Sequence, residues 1–401
     1  MYLEIPGKFR ALVQQASDVA DHFFRPISRK YDKAEHSYPK ELDLLASLLD
    51  GMNDGAPEAA GASTAGKRNS QNRSEGIRNG SNMSTCLGIM ELCRGDVGLL
   101  LAMPRQGLGN SAIAAVANEE QLARFKGSWA AMAITEPGCG SDSAAIRTTA
   151  RLEGNDYILN GEKIFVTSGE RADSVVVWAT LDRELGRAAI KSFVVPHGTP
   201  GMSITRLEKK LGIKASDTAA INFTDCRIPA TNLLGNPEID VKKGFAGVME
   251  TFDNTRPLVA AMAVGVAKAA LDRTRELLQN HINGQYAQPL LQLPLAEATL
   301  YQMEAEWEAA RLLTLKAAWM ADNRQPNSRE ASIAKAKAGR CANDITLKCV
   351  ELCAAVGYNE EELLEKWARD SKILDIFEGT QQIQLLIIAR RLLGKSSSEL
   401  R

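Results

Sequence analysis

The hydrophobic period of this chain changes twice, and that change limits the fold more than any single motif. From residue 1 to about 128, apolar side chains recur at helical spacing, as in Phe9-Arg10-Ala11-Leu12-Val13-Gln14-Gln15-Ala16 and Leu42-Asp43-Leu44-Leu45-Ala46-Ser47-Leu48-Leu49. Between 129 and 238 the pattern shortens to β-rich runs: Tyr157-Ile158-Leu159, Lys163-Ile164-Phe165-Val166-Thr167, Ser174-Val175-Val176-Val177-Trp178-Ala179 and Ser192-Phe193-Val194-Val195-Pro196. Asn160-Gly161 and Leu185-Gly186 supply turn chemistry between them. From Val241 onward long helical runs return, over 258–278, 296–321, 328–355 and 363–393. Pro257 has no N–H to donate and is expected to kink or restart the first of these. The expected fold is α+β, with an N-terminal helical domain (1–128), a central and mostly antiparallel β-barrel or sandwich (129–238) and a C-terminal four-helix bundle (239–401).

Residues 51–84 interrupt the first helical zone. They are rich in Gly, Ala, Ser and Asn and carry Lys67, Arg68, Arg73 and Arg78. Such a composition cannot bury enough apolar surface to order itself, so a mobile loop is expected. A solvated loop is the simpler reading, and a basic arm reaching an anionic substrate the sharper one.

With 401 residues, two or three domains are the natural expectation. A formal net charge of -1 gives no reason to invoke nucleic acid or an anionic membrane surface. No stretch approaches the roughly 18 uncharged apolar residues of a membrane span, and Met1-Tyr2-Leu3-Glu4-Ile5-Pro6 lacks the pattern of a signal peptide. Seven scattered cysteines without Cys-x-x-Cys spacing, and only four histidines, support neither a disulfide framework nor a metal site. A reducing, cytoplasmic setting is expected.

Chemistry concentrates near the C-terminus, in Lys372-Ile373-Leu374-Asp375-Ile376-Phe377-Glu378-Gly379-Thr380-Gln381-Gln382. Glu378 stands between an apolar run and a Gly-Thr pair. Lost solvation on the apolar side should raise its pKa above the usual value of about 4.3 and make it a stronger base. Gly379 lets a ligand approach the backbone closely. The plain alternative is that Glu378 merely flanks a helix start. A second motif, Met132-Ala133-Ile134-Thr135-Glu136-Pro137-Gly138-Cys139-Gly140-Ser141-Asp142, ends a strand in a glycine-rich turn whose N–H groups could face an anion. It is not a dinucleotide fingerprint, since Ser143 holds the last glycine position and no βαβ unit follows.

These two segments, together with Asn160-Gly161-Glu162-Lys163-Ile164-Phe165-Val166-Thr167-Ser168-Gly169 and Phe252-Asp253-Asn254-Thr255-Arg256-Pro257, resemble the acyl-CoA dehydrogenase family of flavoproteins, in family order over roughly residues 85 to 395. The resemblance implies FAD and an acyl-CoA thioester held between the β-domain and the C-terminal bundle. It places Met132, Ile134, Thr135, Gly140, Ser141, Phe165, Val166 and Thr167 around the flavin, with Ser141 also near substrate. Phe165 stands where the family commonly has Trp, which keeps the apolar face but loses the indole N–H. Thr380 and Gln382 would bond the cofactor. Phe252, Asp253, Arg256 and Gly379 would meet the substrate, Arg256 as a structural or charge partner. Glu378 becomes the base that removes the α-proton while the flavin receives the β-hydride. A backbone N–H at the catalytic Glu and a ribityl hydroxyl would form the oxyanion hole. Some relatives carry the base instead on the helix around Phe252-Asp253-Asn254-Thr255, a position that holds no Glu here, with Glu250 as an outside alternative.

The chain also departs from the family. Homomeric relatives grip the ADP half of FAD from a neighbouring subunit with Arg-x-x-Phe-Gly and Gln-x-x-Gly-Gly-x-Gly. The matching places read His281-Ile282-Asn283-Gly284-Gln285 and Glu351-Leu352-Cys353-Ala354-Ala355-Val356-Gly357. The guanidinium is gone, two methyl groups are added and a negative charge is introduced. The preferred expectation is a heteromer: a different, related subunit supplies the ADP grip in an α2β2 assembly. Electron-transferring flavoprotein is the expected electron acceptor. A homo-oligomer, an acyl-CoA oxidase and a non-catalytic assembly subunit stand as alternatives.

Overall fold

A computed structural model describes residues 5–52, 80–105, 108–239, 246–282, 295–396 and 399, with side chains described in the same ranges apart from 48–52, 246–254 and 280–282. Seven helices come first: α1 (Arg10–Val19), α2 (Arg25–Lys33), α3 (Glu41–Met52), α4 (Ser81–Gly95), α5 (Val97–Ala102), α6 (Leu108–Val116) and α7 (Glu119–Arg124). Their starts follow capping chemistry. Asp96 accepts from the Leu99 N–H to open α5, and Asn118 and Gln121 form a reciprocal capping box on α7. Of the expected loop at 51–84, residues 53–79 lie outside the described residues. Ser81–Ser84 are a correction: they are the first turn of α4, where Asp322 accepts from the backbone N–H groups of Asn82 and Met83 at 2.9 and 3.0 Å.

The middle of the chain is a single curled sheet, a half-barrel of seven strands: β1 (Ala130–Ala133), β2 (Thr149–Glu153), β3 (Asp156–Thr167), β4 (Ser174–Thr180), β5 (Ile190–Pro196), β6 (Met202–Leu207) and β7 (Thr218–Pro229). Pairing is antiparallel for β2–β3, β3–β7, β6–β7 and β4–β5, while β1 and β2 meet β4 in parallel. Every residue of β4 is buried, which is why it reads as an unbroken apolar run rather than an alternating one. Register shifts in β3 opposite β7 bend the sheet, and Gly161 has no room for a Cβ beside Thr148.

Six helices follow: α8 (Ala246–Ile282), α9 (Leu295–Asp322), α10 (Ser328–Leu352), α11 (Ala354–Tyr358), α12 (Leu364–Ser371) and α13 (Gln381–Leu393). α8 runs through Pro257 without a new start. Its inner stripe of Ala260, Ala263, Ala267 and Ala270 shares one core with Ala334, Ala338 and Ala342 of α10, and these small side chains allow the axes to come close. A Cβ at Gly265 would lie 2.2 Å from the Met90 carbonyl, so α8 also needs that glycine to seat on α4. The expected helical run 363–393 is not one helix. It divides into α12, a tight 3-10 turn (Lys372–Asp375) and α13, because Glu378 and Gly379 are left-handed.

One buried charge cluster joins the parts. Lys366 Nζ donates to Asp96 at 2.7 Å and to Asp370 at 2.5 Å, with all three side chains at most 1% exposed. Ser28 donates to Asp96, and the Ile213 N–H donates to Asp370 at 2.5 Å. The cluster thus ties α2 and the start of α5 to the β-domain and to α12.

Candidate active site

Phe377-Glu378-Gly379-Thr380 forms the reversal between the 3-10 turn and α13. Glu378 has φ +56 and Gly379 has φ +89. A non-glycine residue in that region costs on the order of 1 kcal/mol and persists only when its surroundings hold it. Here the surroundings are specific. Gln384 Nε2 donates to the Glu378 and Gly379 carbonyls at 3.2 and 3.1 Å, and Lys335 Nζ donates to the Gly379 carbonyl at 2.7 Å. A Cβ on Gly379 would meet Gln384 Nε2 at 2.5 Å, so the position accepts no larger residue. Thr380 caps α13 by accepting from the Ile383 N–H.

The Glu378 side chain points back toward α8. Thr255 Oγ1 donates to Glu378 Oε2 at 2.9 Å. Glu378 is half-buried as a residue, but its carboxyl is enclosed, and burial pushes its pKa up. The Thr255 hydroxyl and the charges of Arg256 and Lys335 work in the opposite direction without overcoming burial. Arg256 is only 3% exposed. Lys335 is fully buried, and desolvation pulls its ammonium down to about 8, helped by Arg256 and resisted by Asp375 and Glu378. The site is therefore one poised carboxyl between two cations and a hydroxyl.

Thr255, Lys335 and Gln384 were not singled out as site residues from the sequence. A signal for Lys335 was present, since it falls on the apolar stripe of Ala331, Ala334, Ala338 and Ala342, where a lysine is out of place. Phe252 and Asp253 lie in the first part of α8, with side chains outside the described set. Gln382 is exposed on the first turn of α13.

The remaining expected residues gather on the β-domain. Glu136 is the hub: it accepts from the Arg147 and Thr148 N–H groups at 2.6 and 2.9 Å, from Thr148 Oγ1 at 2.6 Å and from Lys163 Nζ at 2.8 Å. Lys163 also donates to the Ile134 carbonyl at 3.1 Å, and the Ile164 N–H to the Thr135 carbonyl at 2.9 Å. These bonds fix the segment after β1 against β3. Met132, Ile134, Thr135 and Thr167 are half-buried there, Gly140 and Ser141 are exposed, and the Val166 side chain faces the sheet core, leaving its backbone to any ligand. Phe165 has φ +56 and is 60% exposed, an uncommon conformation and setting for so large an apolar ring. The glycine-rich turn closes on itself through mutual Glu136–Cys139 backbone bonds and opens on a cleft of about 390 Å³ bordered by Arg147 and Arg183.

A flavin needs an apolar face and polar atoms along the ring edge. Phe165, Met132 and Ile134 offer the first, and Thr135 and Thr167 the second. At the start of α13, Gln381 Oε1 is buried with no protein partner, a polar atom that a bound group would satisfy. The residues present fit FAD. At the places expected for the ADP grip, Glu351 and Ala355 are exposed and Ala354 is held at φ +47, a conformation that suits glycine. Lys348 pairs with Glu351 at 2.5 Å, which offsets part of its charge. The counterpart stretch at 281–285 lies outside the described side chains.

The acyl-CoA dehydrogenase middle-domain family matches residues 131–226, and the acyl-CoA dehydrogenase C-terminal-domain family matches residues 242–393. The mitochondrial short-chain specific acyl-CoA dehydrogenase of Rattus norvegicus is 34% identical over 412 residues, covering 98% of this chain and 91% of that protein. The butyryl-CoA dehydrogenase structure from Megasphaera elsdenii superposes with a TM-score of 0.81 at 30% identity, over 98% of this chain and all of the other. A Mycobacterium smegmatis glutaryl-CoA dehydrogenase in complex with FADH2 superposes with a TM-score of 0.81 at 25% identity, over 99% and 97%. With both domain families matched in order and a relative 34% identical aligned over 98% of this chain, the chain belongs to the acyl-CoA dehydrogenase family of FAD-dependent oxidoreductases.

Proposed function

We propose that Glu378 is the base of an α,β-desaturation of an acyl-CoA thioester. The observation that carries this reading is the Glu378 carboxyl itself: enclosed, raised by burial, bonded to Thr255 Oγ1 and presented on a backbone turn held by three hydrogen bonds. A base that removes a weakly acidic α-proton gains from poor solvation, because the carboxylate then recovers more on taking the proton. The Thr255 hydroxyl and the two cations oppose that rise and favour the ionised form. Thr255 lies in the α8 stretch around which some family members carry the base, and here it serves as the hydrogen-bond partner of Glu378. Residues 132–141 and 165–167 hold the flavin, with the Lys163–Glu136 pair fixing the backbone under it. Bound FAD supplies the two-electron acceptor for the hydrogen leaving the β-carbon. The rat and Megasphaera relatives make a short acyl chain the first to try, ahead of branched or steroid side-chain thioesters.

Purified enzyme and a graded panel of acyl-CoA thioesters test this by flavin bleaching in the absence of oxygen. Bleaching by at least one thioester, abolished in Glu378→Gln with flavin content retained, is the expected result. Bleaching by Glu378→Gln at the parental rate refutes the assignment.

A second reading concerns assembly and electron flow, and the left-handed Ala354 with the exposed Glu351 favours it. A related subunit supplies the ADP grip in an α2β2 enzyme that passes electrons to electron-transferring flavoprotein. One flavin per chain in this protein purified alone would end the heteromer; fast reoxidation by air would replace the flavoprotein acceptor with oxygen. The seven cysteines are buried, and no helix among the described residues is long and apolar enough to cross a membrane.

A further inference from the structure

Lys335 is a buried cation whose hydrogen bond goes to the backbone of the base's own turn. It sits in the first third of α10, is 0% exposed, and donates to the Gly379 carbonyl at 2.7 Å. It has no carboxylate within 4 Å among the described residues, unlike Lys163 and Lys366, which are buried in direct ion pairs at 2.8 and 2.7 Å. Burying an ammonium on a carbonyl alone costs more than burying it on a carboxylate. A merely structural lysine gains nothing from that arrangement, and an alanine would suit the stripe on which it lies.

Its surroundings give it a use. Gly379 follows Glu378 directly, both residues are left-handed, and the Gly379 carbonyl is shared between Lys335 and Gln384. The charged groups acting on the ammonium are Asp375 from the 3-10 turn, Glu378 from the reversal and Arg256 from α8. Glu378 in turn is influenced by Lys335 and Arg256 together.

We propose that Lys335 is a positioning residue for the reaction: it clamps the Glu378–Gly379 turn through the Gly379 carbonyl and places a positive charge beside that turn, where it favours a negatively charged Glu378. This rests on Glu378 being the base. The role divides into a hydrogen bond and a charge, and substitutions separate them. Gln keeps a donor without charge, Arg keeps charge with altered shape, and Met removes both.

The test is the pH profile of kcat/KM for the FAD-loaded enzyme, with wild type, Lys335→Met, Lys335→Gln and Lys335→Arg measured side by side, flavin content and melting temperature being recorded for each. In Lys335→Met, kcat falls by roughly 10- to 100-fold while KM stays within about threefold, and the acidic limb moves to higher pH by about one unit. Lys335→Gln shows the same displacement with a smaller loss of rate, and Lys335→Arg returns the limb toward wild type. Isotope-edited infrared titration of the Glu378 carboxyl, read as wild type minus Glu378→Gln, reports the same displacement independently of turnover. If Lys335→Met fails to fold, Lys335→Gln carries the test alone. An acidic limb and a carboxyl titration in Lys335→Gln that coincide with wild type overturn the proposal. Those results leave the base assignment intact, since that falls only if Glu378→Gln stays active.

Discussion

Two buried charge clusters in this molecule use the same kinds of residue to opposite ends. At the domain junction, Lys366 is bonded to both Asp96 and Asp370, and each carboxylate gains further donors from Ser28, the Leu99 N–H or the Ile213 N–H. The Lys366 ammonium is held above its ordinary value by its two carboxylates, and Asp370 is raised by burial despite Lys366. Around Glu378, by contrast, a carboxyl and an ammonium share a pocket without touching. Glu378 has one hydroxyl donor, and Lys335 spends its hydrogen bond on a carbonyl. The first cluster is satisfied and locks three parts of the chain together. In the second, Glu378 and Lys335 have no direct ion pair with each other among the described residues, an arrangement suited to a carboxyl that changes protonation. Burial alone does not separate structure from function; the completeness of pairing does.

The strongest way to sharpen the comparison is Glu378→Gln. Turnover falls by at least about 10³-fold, and stability at neutral pH stays equal or rises. The sign follows from the raised pKa: ionising Glu378 costs the folded state, so its stabilising contribution is present below the unfolded value and lost as pH rises through the raised folded value. Denaturant titrations at several pH values, in parallel with flavin bleaching, check both halves. A large stability loss would place Glu378 with the structural cluster.

Lys366→Met is the mirror experiment. It leaves Asp96 and Asp370 buried together without their cation and costs about 3–5 kcal/mol of stability, measured by chemical denaturation. The pH profile of whatever folded enzyme remains keeps its acidic limb, because Lys366 does not act on Glu378. A shifted limb would merge the two clusters into one network.

Thr255→Val has a smaller, directional effect. Loss of the hydroxyl removes a hydrogen bond that favours the ionised form, so the acidic limb of kcat/KM moves up and kcat falls by about tenfold. An unchanged limb would mean that the 2.9 Å contact carries no weight in the working enzyme. The smallest effect belongs to a control at the surface. Lys33 and Glu360 pair at 2.7 Å with both side chains about 60% exposed, and Lys33→Ala moves the melting temperature by less than about 2 °C.

The helical, β and helical zones were legible because each imposes its own hydrophobic period, and the residues of 131–142 and 377–380 could be picked out by composition. Their meaning came from resemblance to a family, since periodicity does not identify a thioester or a flavin. The sequence misled where local pattern and tertiary contact disagree. The run 363–393 has helical spacing throughout, yet it breaks at 376–380, where Lys335 and Gln384 hold a left-handed turn that no local propensity favours. Ser81–Ser84 read as part of a polar loop and form a helix start, because Asp322 satisfies the first N–H groups from 240 residues away.

What the sequence determined by itself is the order of helical, β and helical zones and a Glu-Gly turn between apolar and polar segments: hydrophobic period and glycine placement are local properties, written in adjacent residues. Which groups surround that base was decided only by the fold. Thr255, Lys335 and Glu378 come from three separate elements, 123 residues apart at the widest. Whether a carboxyl is paired or poised depends on distances between such elements, and packing alone sets those distances.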